Sequence, residues 1–312
     1  MSLFESFFTI SYFFLLFHIL VSNYTLLLGG INLNLKEEEL TKLVRIGLLG
    51  ISVFLLCFIS FHSISDTVSV FFSSEERKLP IYCVEQSSPK VSISFDAAWG
   101  NEDTQNILDI LKKYDVKATF FMTGGWVDSY PKDVKKIAKA GHDLGNHSQN
   151  HKQMSQLSSE ECISEIQQVN DKIEKLTGKT PILFRPPYGD YNNTLIEATN
   201  ACNCYCIQWD VDSLDWKNYG VDSIITTILD HKALGNGSII LMHNGAKYTK
   251  DALPSVIEGL QDKGFEIVPI SELIYKEDYE IDTQGRQHPI SKLNTTTSPK
   301  SKTISQVTKQ RD

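Results

Sequence analysis

Five short runs of this sequence each end in a side chain that can move a proton, hold a cation or fix a charge. Asp96 follows residues 91–95, and His147 and His151 follow 143–146. Arg185 follows 182–184, Asp212 and Asp215 follow 205–209, and His243 closes 238–242. Asp96 comes after strand-like apolar residues and is walled by Trp99, the placement of a general base. A helix N-cap is the plainer reading, but Asp103 and Thr104 fill that role better. His147 and His151 are spaced i, i+4. On a helical turn they would share one face and could ligate one cation, although a solvent-facing histidine pair has the same spacing. Zinc suits imidazole, and iron, cobalt and nickel stay open. Arg185 precedes Pro186 and Pro187, which stiffen its loop, so its guanidinium could hold a carboxylate ionised. His243 ends an apolar run and suits a general acid, with a packed core histidine as the alternative.

These groups need elements to position them. Strand signals fall at 91–95, 118–122, 143–146, 182–184, 205–209, 238–242 and 265–268. Helical patterns lie between them at 103–114, 131–139, 160–176, 222–230 and 251–262. The helix over 160–176 is the clearest, with Ile163, Ile166, Val169, Ile173 and Leu176 on one stripe. Ser158 and Glu161 form its capping box and Gly178 its stop. Seven β-then-α alternations predict an α/β fold with parallel strands, and that number suits a barrel better than a short open sheet. In such barrels chemistry sits where the strands end, which is where the five runs place their polar residues.

The chain has 312 residues, 41% of them hydrophobic, and a net charge of −8. That charge excludes nucleic acid as a partner, which needs clustered Lys and Arg. Residues 46–65 contain no Asp, Glu, Lys or Arg. At 1.5 Å per residue, a 20-residue helix reaches ~30 Å, the thickness of a bilayer core. Lys42 and Arg45 precede it, which predicts a cytoplasmic N-terminal side and an extracytoplasmic domain on the cell membrane. A cleaved signal peptide is the competitor, and residues 61–65 lack its small-residue site. An earlier apolar tract at 7–28 would make the anchor two-pass. The organisation expected is therefore 1–65 hydrophobic anchor region, 66–89 stalk, 90–275 globular domain and 276–312 disordered tail. Cys202, Cys204 and Cys206 alternate, either as a thiolate metal site or as small core residues.

Taken together, Ser94-Phe95-Asp96, the run from His147 to His151, Arg185-Pro186-Pro187-Tyr188-Gly189, the run from Asp212 to Trp216, and Leu241-Met242-His243 resemble the polysaccharide deacetylase family. These are the NodB-homology domains of carbohydrate esterase family four. The anchor, the residues around Pro80 and the run from Phe95 to Gly100 look like its sporulation-type, membrane-anchored branch. The resemblance covers residues 90–275 and implies a distorted (β/α)7-8 barrel of the NodB type with an N-terminal transmembrane helix. It implies Asp96 as base, His243 as acid tuned by Asp215, and Arg185 orienting the base. His147 and His151 would hold a divalent metal, zinc above others. Tyr188, Trp216, Asp212 and Trp99 would meet the sugar. The implied activity is removal of N-acetyl groups from a peptidoglycan-like or N-acetylglucosamine polymer of the cell wall or spore envelope. One departure stands out. The family's second aspartate, a metal ligand, is Ala97 here, followed by Ala98. A catalytic zinc normally has three protein ligands. The alternative is thus an envelope protein that binds carbohydrate with catalysis impaired. A transporter has little support, since the apolar tracts carry no charged residue to mark a pathway.

Overall fold

The computed structural model describes residues 42, 45–47, 49–56 and 76–290. The chain divides into two units, Met1–Glu75 and Glu76–Asp312. In the first, residues 45–47 and 49–56 are helical with exposed side chains, Ile46, Phe54 and Leu56 among them. Among the described residues no helix is long and apolar enough to cross a membrane. The expected span at 46–65 lies partly outside the described residues, and the tract at 7–28 lies wholly outside them.

The second unit is built on a parallel sheet. Its strands are β2 (Lys90–Ala97), β3 (Thr119–Met122), β4 (Asp143–Asn146), β5 (Leu183–Phe184), β6 (Tyr205–Cys206), β7 (Val211–Asp212), β8 (Ile239–His243) and β9 (Glu266–Ile267). Their order is β6-β5-β4-β3-β2-β8-β7, with β9 beside the start of β2. Helices α1 (Thr104–Lys113), α2 (Gly124–Ser129), α3 (Pro131–Lys139), α4 (Ser159–Thr177), α5 (Asn193–Ala201), α6 (Val221–Leu229), α7 (Thr249–Asp262) and α8 (Ile270–Leu273) connect them. The α/β expectation holds, but the sheet is a half-barrel, because β6 and β7 share no ladder. Of the strand expected at 205–209 only Tyr205–Cys206 forms, and a second short strand just beyond it, Val211–Asp212, lies on the opposite edge.

The seam between those edges is filled by residues expected to be a stalk. Ile81 N–H donates to Cys206 O and Ile81 O accepts from Gln208 N–H, while Val84 N–H donates to Gly237 O. Ile81 and Val84 are buried. Open strand edges leave unpaired amides and carbonyls, and this segment satisfies them. The tail reading at 276–312 is corrected for residues 276–290, while 291–312 lie outside the described residues. Strands β10 (Tyr279–Ile281) and β11 (Arg286–Pro289) join β1 (Cys83–Val84) in a second sheet. Polar composition hid this pairing. Gln287 is fully buried, donating to Tyr275 O and accepting from Tyr275 N–H, so a polar side chain does the anchoring.

Helix α4 keeps its expected capping box at Ser158 and Glu161, and ends on Gly178 at φ 72°. One core lies between the sheet and helices α1, α3, α6 and α7, with Phe95, Phe120, Ile240 and Leu253 fully buried in it. The cysteines follow their plain reading. Cys204 and Cys206 are buried against Met154 and Leu195, and Cys202 packs partly buried against the same cluster. Burial pushes the Cys204 and Cys206 thiols up to about 11 and 12, disfavouring the thiolate a metal needs.

Candidate active site

Strand alternation decides which residues of β2 reach the site. Ser92, Ser94 and Asp96 face one side, and Ile93, Phe95 and Ala97 face the helical core. In the parallel ladder Asp96 lies directly across from His243 of β8. Asp96 is 5% exposed, so its carboxylate needs a partner. The Arg185 guanidinium supplies it, with Nη1 to Oδ1 at 2.8 Å. Arg185 is itself fully buried, stacked 4.1 Å over the Phe121 ring, and its Nη2 donates to Ser94 Oγ. Burial alone would raise the Asp96 carboxyl. The charges of Arg185, His147 and His243 outweigh it and hold the group below the ordinary carboxylate range.

His147 and His151 do not lie on a helical turn. They bracket a loop in which Ser148 and His151 take positive φ, 64° and 52°. Local side chains set that shape. Asn146 Oδ1 accepts from Ser148 N–H, Ser148 Oγ accepts from His151 N–H, and buried Glu165 of α4 accepts from both Asn150 N–H and Nδ2. The rings nevertheless meet edge to face at 5.0 Å between centroids. His147 Nδ1 contacts Arg185 O at 2.7 Å. A carbonyl can only accept, so Nδ1 carries the hydrogen and Nε2 turns toward Asp96 Oδ2, 3.5 Å away. Burial pushes His147 down to about 4, against the opposing pull of Asp96. Burial also lowers His151, and its Nδ1 meets Tyr188 Oη at 3.1 Å.

Across the cavity, His243 Nδ1 donates to Asp215 Oδ1 at 2.7 Å. The Asp215 carboxylate is fully buried and also accepts from His243 N–H and Thr249 Oγ1. Nε2 of His243 is left for the cavity. Burial alone would lower this imidazole, but the hydrogen bond and charge of Asp215, with Asp96 and Asp212 behind it, raise it above its ordinary value. A carboxylate with lowered proton affinity and an imidazole with raised proton affinity thus share one space, which is the equipment for removing a proton on one side of a bond and supplying one on the other.

That space is a cavity of about 460 Å³, bounded by Asp96, His147, His151 and His243 and by the rings of Trp99, Tyr188, Trp209 and Trp216. Tyr188 sits in a left-handed conformation, φ 60° and ψ 7°, and is 67% exposed. Strain of this kind in a bulky residue marks a place the surroundings force open. Asp212 lines the cavity too, although its Oδ1 is occupied by Leu214 N–H. All ten residues singled out from the sequence therefore belong to one locality. Sequence reasoning missed Glu165, Ser94, Thr249 and Trp209. Glu165 is a charged side chain on the buried side of α4, a signal that was available; the other three carry none.

The metal expectation fares differently. Among the described residues no group of three His, Cys, Asp or Glu side chains is disposed to hold an ion. One Asp96 oxygen is taken by Arg185, and Ala97 faces the core. Ala98, which does line the cavity, presents only a methyl. Two imidazoles without a third donor do not fit a catalytic zinc site.

A polysaccharide deacetylase model matches residues 84–207. A peptidoglycan-N-acetylglucosamine deacetylase of Bacillus cereus is 32% identical over 206 residues, 65% of this chain and 74% of the relative. The chain belongs to the polysaccharide deacetylase family. Another member, the peptidoglycan-N-acetylmuramic acid deacetylase PdaC of Bacillus subtilis, is 35% identical over 61% of this chain, which spans only 40% of PdaC's length. Among solved structures, BA3943 of Bacillus anthracis, a family-four pseudoenzyme, superposes with a TM-score of 0.60 at 34% identity, covering 67% of this chain and 72% of that one. A mutant of BA3943 has restored enzymatic activity. The family thus includes both active deacetylases and a pseudoenzyme similar to this chain.

Proposed function

We propose that the domain takes an N-acetylated cell-wall glycan of the peptidoglycan type into the cavity and hydrolyses its acetamide at low turnover. The observation that carries this reading is the pairing of Arg185–Asp96 with Asp215–His243 on neighbouring strands. Asp96 removes a proton from water as it attacks the acetamide carbonyl. His243 protonates the departing amine, and acetate and a free amino sugar remain. Arg185 keeps Asp96 ionised, and Trp99, Tyr188 and Trp216 hold the sugar. No step is routed through a metal, because the donor set does not complete one. The test is acetate release from N-acetylglucosamine oligomers and from peptidoglycan. Asp96→Asn and His243→Ala should each lower it on the order of 10²-fold or more. Unchanged release in both variants refutes these roles.

A second reading is favoured by a specific observation: alanines occupy both positions after Asp96, and the BA3943 neighbour is a pseudoenzyme. In that reading the cavity binds glycan without cleaving it. Glycan binding with no acetate released, with or without added zinc, selects it. The uncharged 46–65 tract behind Lys42 and Arg45 supports a place at the cell membrane with the domain outside. Full-length protein that stays in the aqueous phase without detergent would sink that assignment.

A further inference from the structure

Cations gather at the end of the sheet opposite the cavity. Helices α1 and α3 each close on a pair of lysines, Lys112 with Lys113 and Lys136 with Lys139. Lysines in a last turn complement the negative end of a helix, which is their plainest role. Here, however, Lys112, Lys136 and Lys139 line one cleft of about 420 Å³ together with Lys117, which belongs to neither helix. Lys117 leads into β3 and His142 into β4, so the cleft lies where strands begin, whereas Asp96 and His243 sit where strands end. Of the residues lining the cleft, Asp109 alone carries a carboxylate, and it accepts from Gln105 Nε2. Lys136 pairs with Asp133. Among the described residues Lys112, Lys117 and Lys139 have no carboxylate within ion-pairing distance, although the protein carries a net charge of −8.

His142 adds an independent signal. It lines the cleft yet is only 4% exposed, and its Nδ1 accepts from Ala118 N–H. Burial keeps the ring neutral, down to about 4, so Nε2 carries the hydrogen. Among the described residues that donor has no partner, which leaves it for an acceptor in the space beside it. A second cavity of about 350 Å³ shares His142 and adds Lys179 and Lys276. Its carboxylate, Asp143, already accepts from Thr119 Oγ1 and from Ser271 N–H and Oγ. Two cation-lined cavities with a common wall make a track for a chain of anions.

We infer that the clefts around His142 bind an extended phosphodiester chain, its phosphates lying among Lys112, Lys117, Lys136 and Lys139. Neither cavity is lined by Arg, whose planar fork matches a carboxylate. A phosphodiester instead exposes two oxygens on one centre and can meet point charges from both walls. Neither cavity is lined by Phe, Tyr or Trp, so nucleic-acid bases would have nothing to stack on, and a chain without bases fits better. This site is separate from the catalytic cavity, and the two readings stand or fall independently.

The experiment titrates the full chain with a glycerol-phosphate oligomer, with glycerophosphoglycerol as the free form of a lipid headgroup, with inorganic phosphate, and with an oligoglutamate of the oligomer's charge. The oligomer should bind about tenfold tighter than either small phosphate and tighter than the oligoglutamate. Its log affinity should fall with log salt at a slope of roughly −2 to −3. Lys112→Gln combined with Lys139→Gln should weaken the oligomer roughly three- to tenfold, and arginine at both positions should restore it. Lys132→Gln combined with Lys263→Gln removes the same charge from exposed positions outside the clefts and should leave binding unchanged. Equal weakening by the two pairs would mean diffuse attraction and overturn the site. Equal affinity for a small phosphate overturns the chain as ligand, and equal affinity for the oligoglutamate overturns the phosphate. Failure of every probe to bind overturns the proposal outright. Acetate release reads the catalytic cavity separately and is untouched by all of these outcomes.

Discussion

At the scale of residues, the site works by opposing two histidines that have different neighbours. His147 is buried against a carbonyl and stays neutral, held at about 4. His243 is nearly as buried but leans on Asp215, and its proton affinity rises. In the proposed reaction the general acid must be protonated to act, so a raised His243 should keep activity into more alkaline solution than free imidazole would allow. The depressed Asp96 keeps the base ionised well into the acid range. The rate should therefore hold across a wide interval and fall on the alkaline side as His243 loses its proton. Asp215→Asn removes the acceptor charge, so the alkaline limb of the pH–rate profile should move to lower pH. A limb that stays in place would show that Asp215 acts only in packing. Ala97 and Ala98 belong to this scale also. The sequence marks 97 as the departure, but alternation along β2 turns that side chain into the core and leaves Ala98 at the cavity wall.

At the scale of elements, helix α4 positions the histidine loop. Glu165, buried on its inner face, receives two hydrogen bonds from Asn150, and the loop residues Ser148 and His151 hold positive φ. Those bonds, with one from Lys152, keep the Glu165 carboxyl below the ordinary range despite its burial. Glu165→Gln preserves shape but has one fewer acceptor, and Glu165→Ala leaves the Asn150 amide unmatched. The alanine variant should destabilise the domain by about 1–3 kcal/mol in denaturant unfolding. It should also weaken glycan binding more than the glutamine variant does. Equal binding by wild type and Glu165→Ala would separate the loop's geometry from this helix. The alternation of β2 and the capping box of α4 were both legible in sequence, because period and cap chemistry are local. The loop was misread as a helical turn. Its conformation is dictated by Glu165, which lies fourteen or more residues away, and i, i+4 spacing carries no trace of that contact.

At the scale of the molecule, buried titratable groups make stability depend on pH. His142 is buried with Nδ1 accepting from Ala118 N–H, and burial holds it at about 4, as it does His147. Each has a folded value below the unfolded one. The unfolded chain then takes up more protons as pH falls from about 6.5 to about 4, and stability is lost over that interval. Asp210 works the other way. Burial raises it to about 6, so between about 6 and 4 the folded state gains protons and some stability returns. Two histidines against one aspartate leave a net loss on the order of a few kcal/mol. Thermal melts of the full chain at pH 7, 5.5 and 4.5 should show a falling midpoint, and Asp210→Asn should steepen the fall. A flat series would overturn this balance.

By itself the sequence determined the parallel α/β plan, the capped helix over 160–176, and the five strand ends at which the reactive groups sit. Each of these is written in periodicity, capping residues or a run of adjacent side chains. Only the tertiary structure decided that the sheet stays open and that residues 81–84 and 279–289, polar or stalk-like by composition, close its seam or pair beside it. The contacts of Arg185 with Asp96 and of Asp215 with His243, which the resemblance implied, are made by the fold. Those pairings join residues 89 and 28 positions apart, brought together by strand neighbours no local pattern specifies.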